Sequence, residues 1–423
     1  MKVTRRYFLR SSGAVAAGLG LMPLAWLGGR TAFAAAPVKR GRTLVVVFLR
    51  GGVDGLNFVV PHGDPGYAKL RPTLGLKAPA KGDAEACLDL DGAFGLHPRL
   101  APLGPWFERG LAVAAHAVGY DGNSRSHFEE QDVWETGIAS NDLRADGWLN
   151  RHLATSEGHG RVRAVAVGST LPRICRGKAT AYAIRDLDDL TLAGARAKPD
   201  RAAALQDGLE AAYGDGTDVL DRAARDTLEG LAELRAAATR KLDASAVYPN
   251  TGLGRQLRSI AHLVKADIGL EVAEVDYGGW DTHQNQGRGA QGAFANLCGG
   301  LSTALDAFAK DLGDRMDDVL VLTLSDFGRT ARENGTGGTD HGWGNAMLLM
   351  GGSVAKARKA DGRRVVTEWP GLATEALHQR RDLKHTIDFR DVIAEVVATH
   401  LGNPNVAAVM PGRPGKRVGL VGS

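Results

Sequence analysis

Five short segments of the chain carry polar residues of the kinds that bind metals or attack esters, and each borders a run of apolar residues. Asp54 lies in Arg50-Gly51-Gly52-Val53-Asp54-Gly55, where flanking glycines let the backbone turn tightly and bring a carboxylate close to an ion. Asp281 and His283 lie two apart in Gly278-Gly279-Trp280-Asp281-Thr282-His283, near enough to reach one metal. Asp326 follows Ser325 at the end of another apolar run, and His341 sits in the glycine-rich loop Gly338–Gly344, where packing alone is a poor account of a histidine. Carboxylates and imidazoles gathered at one place repel unless cations or protons neutralise them, and this mixture of ligands suits zinc, manganese or iron. Arg50, Arg125 and Arg329 stand next to these residues and could hold an anionic substrate, their plain alternative being solvated surface charge. Ser126 with Glu129 fits a capping box that opens a helix. A serine hydroxyl there lies beside free N–H groups and a positive dipole end, which suits a phosphoryl group.

Such residues meet only if the elements between them bring their loops together. Six continuous apolar runs have the composition of strands covered on both faces: Leu44–Leu49, Leu111–Ala115, Val162–Val167, Leu270–Val275, Val319–Leu324 and Ala346–Met350. Segments long enough for helices separate most of them, as around Leu301–Leu312 and Arg390–Leu401, so the expected architecture is α/β, three layers, with a mainly parallel sheet. In such a sheet, ligands bind outside the carboxyl ends of the strands. Residues 185–242 are rich in Ala, Asp, Arg and Leu without strand-like runs and are expected to form a peripheral helical insertion. No Gly-x-Ser-x-Gly elbow, His-Glu-x-x-His, phosphate-binding loop or Gly-x-Gly-x-x-Gly after the first strand occurs, which removes the common esterase, zincin, triphosphatase and dinucleotide readings.

The amino terminus addresses the chain for export. Arg5-Arg6 precede Tyr7-Phe8-Leu9, a short glycine-rich apolar stretch follows, and Ala32-Phe33-Ala34 suits a signal peptidase. Residues 1–34 are therefore expected to be a cleaved twin-arginine signal, and residues 35–423 one domain, periplasmic or extracellular, with the export machinery as partner. The apolar stretch is too short to span a membrane, so the mature protein is expected to have no span. The formal charge of +4 includes Lys2, Arg5, Arg6, Arg10 and Arg30; losing these five positives leaves −1, which argues against nucleic-acid binding. Cys87, Cys175 and Cys298 are far apart and odd in number, and read as buried single thiols.

The stretches Phe48–Asn57, Ser124–Asp132, Gly278–His283, Ser325–Thr330 and Asp340–Gly344 resemble a family of twin-arginine-exported bacterial proteins, domain of unknown function number fifteen hundred and one. That family is distantly similar to the alkaline phosphatase superfamily. The resemblance implies an alkaline-phosphatase-like fold and one or two divalent ions. Asp281, His283 and His341 would share one ion, and Asp54 and Asp326 a second. Ser126 takes the nucleophile's place, with Ser124 as the alternative because Gly122-Asn123-Ser124 resembles the mutase version, and Arg125 belongs to the same catalytic segment. Phe327 stands where the superfamily usually has histidine. The implied activity is hydrolysis of phosphate or related esters; the rival is a non-catalytic exported protein of the same fold that binds a partner or an envelope glycan.

Overall fold

The computed structural model describes residues 41–139, 146–158, 160–187, 219–242, 245–413 and 415–422. The expected signal, residues 1–34, and residues 188–218 of the expected insertion lie outside the described residues.

All six apolar runs are strands. The central sheet comprises β1 (Thr43–Arg50), β2 (Ala112–Gly119), β3 (Ala164–Val167), β4 (Tyr182–Ile184), β5 (Val272–Gly278), β6 (Val319–Ser325), β7 (Asn345–Gly351), β8 (Val365–Val366) and β9 (Ile387–Asp388). Their order is β8-β2-β7-β6-β1-β5-β3-β4, with β9 also paired to β2. The strand β1 shows why the runs are apolar without interruption. Val45, Val47 and Leu49 pack into the core on one face, and Leu44, Val46 and Phe48 into the core on the other. Each side chain buried this way contributes roughly 1.5–3 kcal/mol of transfer free energy.

The first face is covered by α4 (Gly252–Lys265) and α5 (Ala293–Leu312), through Leu257, Ile260, Cys298, Leu301 and Phe308. The second is covered by α1 (His127–Thr136), α2 (Trp148–Thr155) and α6 (Phe389–Glu395), through Trp134, Leu149, Val392 and Ile393. These are the three layers. The described part of the expected insertion is helical, α3 (Val219–Ala238). It is less peripheral than expected, because Leu234 and Ala237 are fully buried in the first core. Cys87, Cys175 and Cys298 are buried and unbridged.

Every strand runs one way except β7, which is antiparallel to both β2 and β6. The physical reason lies in the connection. A parallel return needs a crossover, usually a helix, whereas residues 326–344 form only turns and isolated bridges before the chain re-enters the sheet. The loop before β7 therefore lies at the same edge as the loops after β1, β2, β5 and β6. That brings His341, from the start of a strand, to the carboxyl ends of the others.

Candidate metal centre

Each loop at this edge is shaped by its glycines and its buried donors. Gly51 has φ of +118°, and a Cβ there would stand 2.6 Å from the Asp281 backbone nitrogen. Only glycine lets the loop after β1 pass so close to the loop after β5. Gly52, at φ +72°, would likewise meet the Phe327 ring at 2.6 Å. Phe327 is fully buried and lies 4.7 Å from the His127 ring and 4.6 Å from the His341 ring. It forms an apolar floor under two imidazoles.

Above that floor three histidines aim at one carboxylate oxygen. Asp281 Oδ1 lies 3.1 Å from His341 Nε2, 3.1 Å from His283 Nε2 and 3.5 Å from His127 Nε2. His283 Nε2 and His341 Nε2 are 2.9 Å apart. The ligand atoms of His127, Asp281 and His341 all lie within 4.8 Å of one another. The far side of each ring is also fixed. His127 Nδ1 is 2.6 Å from Asp326 Oδ2, His283 Nδ1 is 3.0 Å from Asp340 Oδ1, and His341 Nδ1 is 2.8 Å from the Arg125 carbonyl. Carbonyl and carboxylate oxygens only accept, so each Nδ1 carries a proton and each ring turns its Nε2 inward. Lone pairs so close repel unless a cation or a proton lies between them. Atoms that share one ion at about 2.0–2.2 Å in tetrahedral array lie roughly 3.3–3.6 Å apart. The observed spacings fall around that value, and the outer oxygens match the partners that orient metal-binding histidines. His127, Asp281 and His341 therefore fit one divalent cation; His283 reaches Asp281 and His341 but stands outside the set whose ligand atoms are mutually within 4.8 Å.

The charges support the same reading. Arg329 is buried and donates to the carbonyls of Gly51, Gly52, Trp280 and Thr339, and to Asp281 Oδ1 at 2.5 Å. Burial pushes the Asp281 carboxyl up, but Arg329, His341 and His283 outweigh it and hold its pKa at about 2. Burial also pushes Asp326 up, and the bonds from His127, Gln131 and the Gly51 N–H more than reverse this. Asp326 in turn raises His127 through their hydrogen bond, while burial lowers His341.

Of the five expected ligands, Asp281, His283 and His341 come together and two stand elsewhere. Asp326 is one bond back: Oδ1 accepts from Gly51 N at 3.0 Å, and Oδ2 faces His127 Nδ1 and Gln131 Nε2, the latter at 2.9 Å. Asp54 is removed altogether. It is fully buried, with Oδ2 paired to Arg71 Nη1 at 2.5 Å and bonded to Gln286 Nε2 at 2.6 Å. Arg71 already supplies the positive charge that a second ion was expected to bring. His127 is the candidate ligand that sequence reasoning passed over. The signal was its place one residue past the expected cap, at the carboxyl edge. Asp326→Asn is expected to lower metal affinity about 10- to 100-fold with little change in fold; a competition titration against a chelator of known affinity checks this.

The expected nucleophile segment also departs from its pattern. Ser126 precedes α1, but its side chain makes no capping bond. Glu130 instead takes Tyr120 Oη, Ser124 N and Ser124 Oγ, at 2.7, 2.7 and 2.9 Å. Ser124 is thus tied down, whereas Ser126 is half-buried between two residues fixed at the centre, Arg125 through its carbonyl and His127 through its ring. None of the three expected substrate-binding arginines is idle. Arg50 pairs with Asp276 and Glu135, Arg125 with Asp382, and Arg329 with Asp281. Nor is Arg329 a solvated surface charge.

Among solved structures the chain is similar to the C-terminal periplasmic domain of EcEptC from Escherichia coli, in complex with Zn, at 9% identity and a TM-score of 0.37, over 77% of this chain and 79% of that one. It is also similar to alkaline phosphatase from the Antarctic bacterium TAB5, at 11% identity and a TM-score of 0.26, over 75% and 93%. No curated protein matches the chain. Residues 77–407 match the family described as protein of unknown function (DUF1501). That span takes in α1, β5, β6, the loop bearing His341 and most of the sheet, and the chain belongs to this family.

Proposed function

We propose that the protein is an exported, metal-dependent hydrolase of phosphate or related esters. The observation that carries this reading is the convergence of three imidazole Nε2 atoms on Asp281 Oδ1, each ring held from behind by an oxygen. His127, His341 and Asp281 would hold the ion, with His283 beside them. When bound, a divalent cation polarises an ester oxygen and lowers the pKa of a hydroxyl or water. The protein does the rest by positioning. Arg329 keeps Asp281 ionised, Asp326 and Asp340 fix two ring tautomers, and Phe327 excludes water from beneath the rings. Ser126, at the amino end of α1, is the candidate nucleophile, where the helix dipole favours an anion. The side chains of His127, His283, His341 and Asp281 are 25%, 38%, 23% and 45% exposed, so a substrate can reach the centre from solvent.

Protein purified from its native compartment is expected to carry about one divalent ion per chain, by elemental analysis. Ser126→Ala is expected to keep that ion and lose turnover on a panel of aryl esters and the covalent intermediate. Metal without turnover on any ester would favour the non-catalytic reading, and protein free of metal after dialysis against zinc or manganese would end both versions of the site.

The export reading rests on Arg5 and Arg6. Lysine at both positions is expected to leave folded precursor in the cytoplasm, read by fractionation and by the size of the chain. Normal export of the double variant through the general secretory channel would overturn it. Among the described residues no helix is long and apolar enough to cross a membrane.

A further inference from the structure

The arginines that neighbour the centre in sequence are spent on carboxylates and carbonyls, and the exposed guanidinium nearest His341 comes from a different part of the chain. Arg381 is 41% exposed in its side chain and donates Nη2 to the His341 carbonyl at 3.0 Å. Its Nη1 lies 3.2 Å from Asp382 Oδ2. The same carboxylate oxygen accepts from Arg125 Nε at 3.0 Å and Nη2 at 2.6 Å. Asp382 is fully buried, so two guanidinium groups are pinned by one carboxylate, and Arg381 turns its free donors toward solvent with the half-exposed Asp340 as its other neighbouring charge. Arg125 directly precedes Ser126, and Arg381 is bonded to the backbone of His341. The two guanidinium groups therefore belong to residues tied to both segments, the backbone of His341 and the residue before Ser126.

The backbone around this pair takes conformations that residues other than glycine seldom adopt. Arg381 N donates to His378 O at 3.1 Å, which makes His378–Arg381 a tight turn, and His378 N to Asp382 O at 2.8 Å and Asp382 N to His378 O at 3.0 Å close it at its base. Its two central residues, Gln379 and Arg380, have φ of +52° and +56°. Such turns normally take Asn-Gly or Gly-Gly at those positions. Arg125 is left-handed too, at φ +59°, and its Nη2 donates to Gln379 Oε1 at 2.8 Å. Three non-glycine residues in the left-handed region thus meet around Asp382. Strain of this kind persists where the surroundings hold it in place, and it gathers at binding sites.

We infer that Arg381, with Arg125 beside it, forms an anion-binding subsite that takes the negatively charged group of the substrate next to Ser126. The inference rests on the hydrolase reading for the identity of that group, but not for the existence of the subsite. Two of the guanidinium's five N–H donors are used on the protein, and the rest can meet an oxyanion in the planar geometry that arginine offers and lysine does not.

The test uses metal-loaded mature protein and three variants, R381Q, R381K and the turn control R380Q. Inorganic phosphate binding is measured by calorimetry. Steady-state constants are measured for p-nitrophenyl phosphate and for p-nitrophenyl acetate, an uncharged ester with the same leaving group. R381Q is expected to weaken phosphate binding and raise KM for the phosphate ester by about ten- to hundredfold, the loss of a charge-assisted bond. Metal content and turnover of the acetate should stay as they were. R381K should recover part of the phosphate binding, and R380Q should behave as wild type. Phosphate binding equal in wild type and R381Q overturns the subsite even if esters are hydrolysed. Binding of phosphate that depends on Arg381, in a protein that hydrolyses no ester, upholds the subsite and overturns the hydrolase reading.

Discussion

Replacing His341 by alanine is expected to abolish stable metal binding while leaving the protein folded. The ring supplies one of four converging donors, and its neighbours Asp281 Oδ1 and His283 Nε2 are only 3.1 and 2.9 Å away. Loss of a partner behind a ligand costs about 10- to 100-fold in affinity, so loss of the ligand itself should exceed the upper figure. The structural cost is small by comparison. One hydrogen bond to the Arg125 carbonyl disappears, worth about 1 kcal/mol, and the side chain is already 23% exposed. Elemental analysis and chelator competition read the first quantity, and denaturant unfolding reads the second. Because each ring must be neutral to bind, affinity in the unaltered protein should also fall as pH drops, first as His127 protonates, since Asp326 raises its pKa, and only at lower pH as His341 does, since burial lowers its pKa. Metal content unchanged in the alanine variant would remove His341 from the centre.

Asp54→Asn is expected to do the reverse, keeping the metal and losing stability. Asp54 and Arg71 are fully buried in their side chains and lie 2.5 Å apart. Arg71 is also bound to Asn57 Oδ1 and to the carbonyls of Thr330 and Ala331, so it cannot swing out to water when its countercharge is removed. Breaking a buried pair from one side costs about 3–5 kcal/mol, and asparagine, which keeps the shape, should fall at the lower end. The denaturant midpoint should drop with the slope unchanged. Removing both charges in Asp54→Asn with Arg71→Met should cost less than the sum of the single changes, since the uncompensated charge is gone. If Asp54→Asn instead lost metal and kept its midpoint, Asp54 would be a ligand after all.

These two residues mark how far the sequence could be read. Asp54 and Asp281 are both aspartates in glycine-flanked loops after apolar runs, and nothing local tells them apart. What separates them is tertiary: Arg71, from the end of the short helix Pro65–Leu70, reaches the first inside the core, and Arg329, from beyond β6, reaches the second at the half-exposed Oδ1 that the histidines also face. The partners of Arg50, Arg125 and Arg329 lie up to 278 residues away, which is why all three read as free cations when each is paired. His127 was hidden by a better local explanation, the helix start at Ser126. The long strands were legible because burial on both faces writes an unbroken apolar run. The pieces Tyr182–Ile184, Val365–Val366 and Ile387–Asp388 were not, since two or three residues carry no period. The direction of β7 follows from its connection, which carries no helix; the composition of the run itself is silent on it.

The converging donors come from residues 127, 281, 283 and 341, that is, from segments about 60 to 150 residues apart that meet only in the completed sheet. Only Asp281 and His283 are close in sequence, so the unfolded chain offers that pair alone and the full donor set exists only in the folded protein. An ion held by the whole set would then be captured as folding completes, and whichever divalent ion is most available at that moment would compete on the terms of the surrounding solution. A chain that folds before it crosses a membrane takes its ion from the side on which it folds, and carries that choice across as cargo.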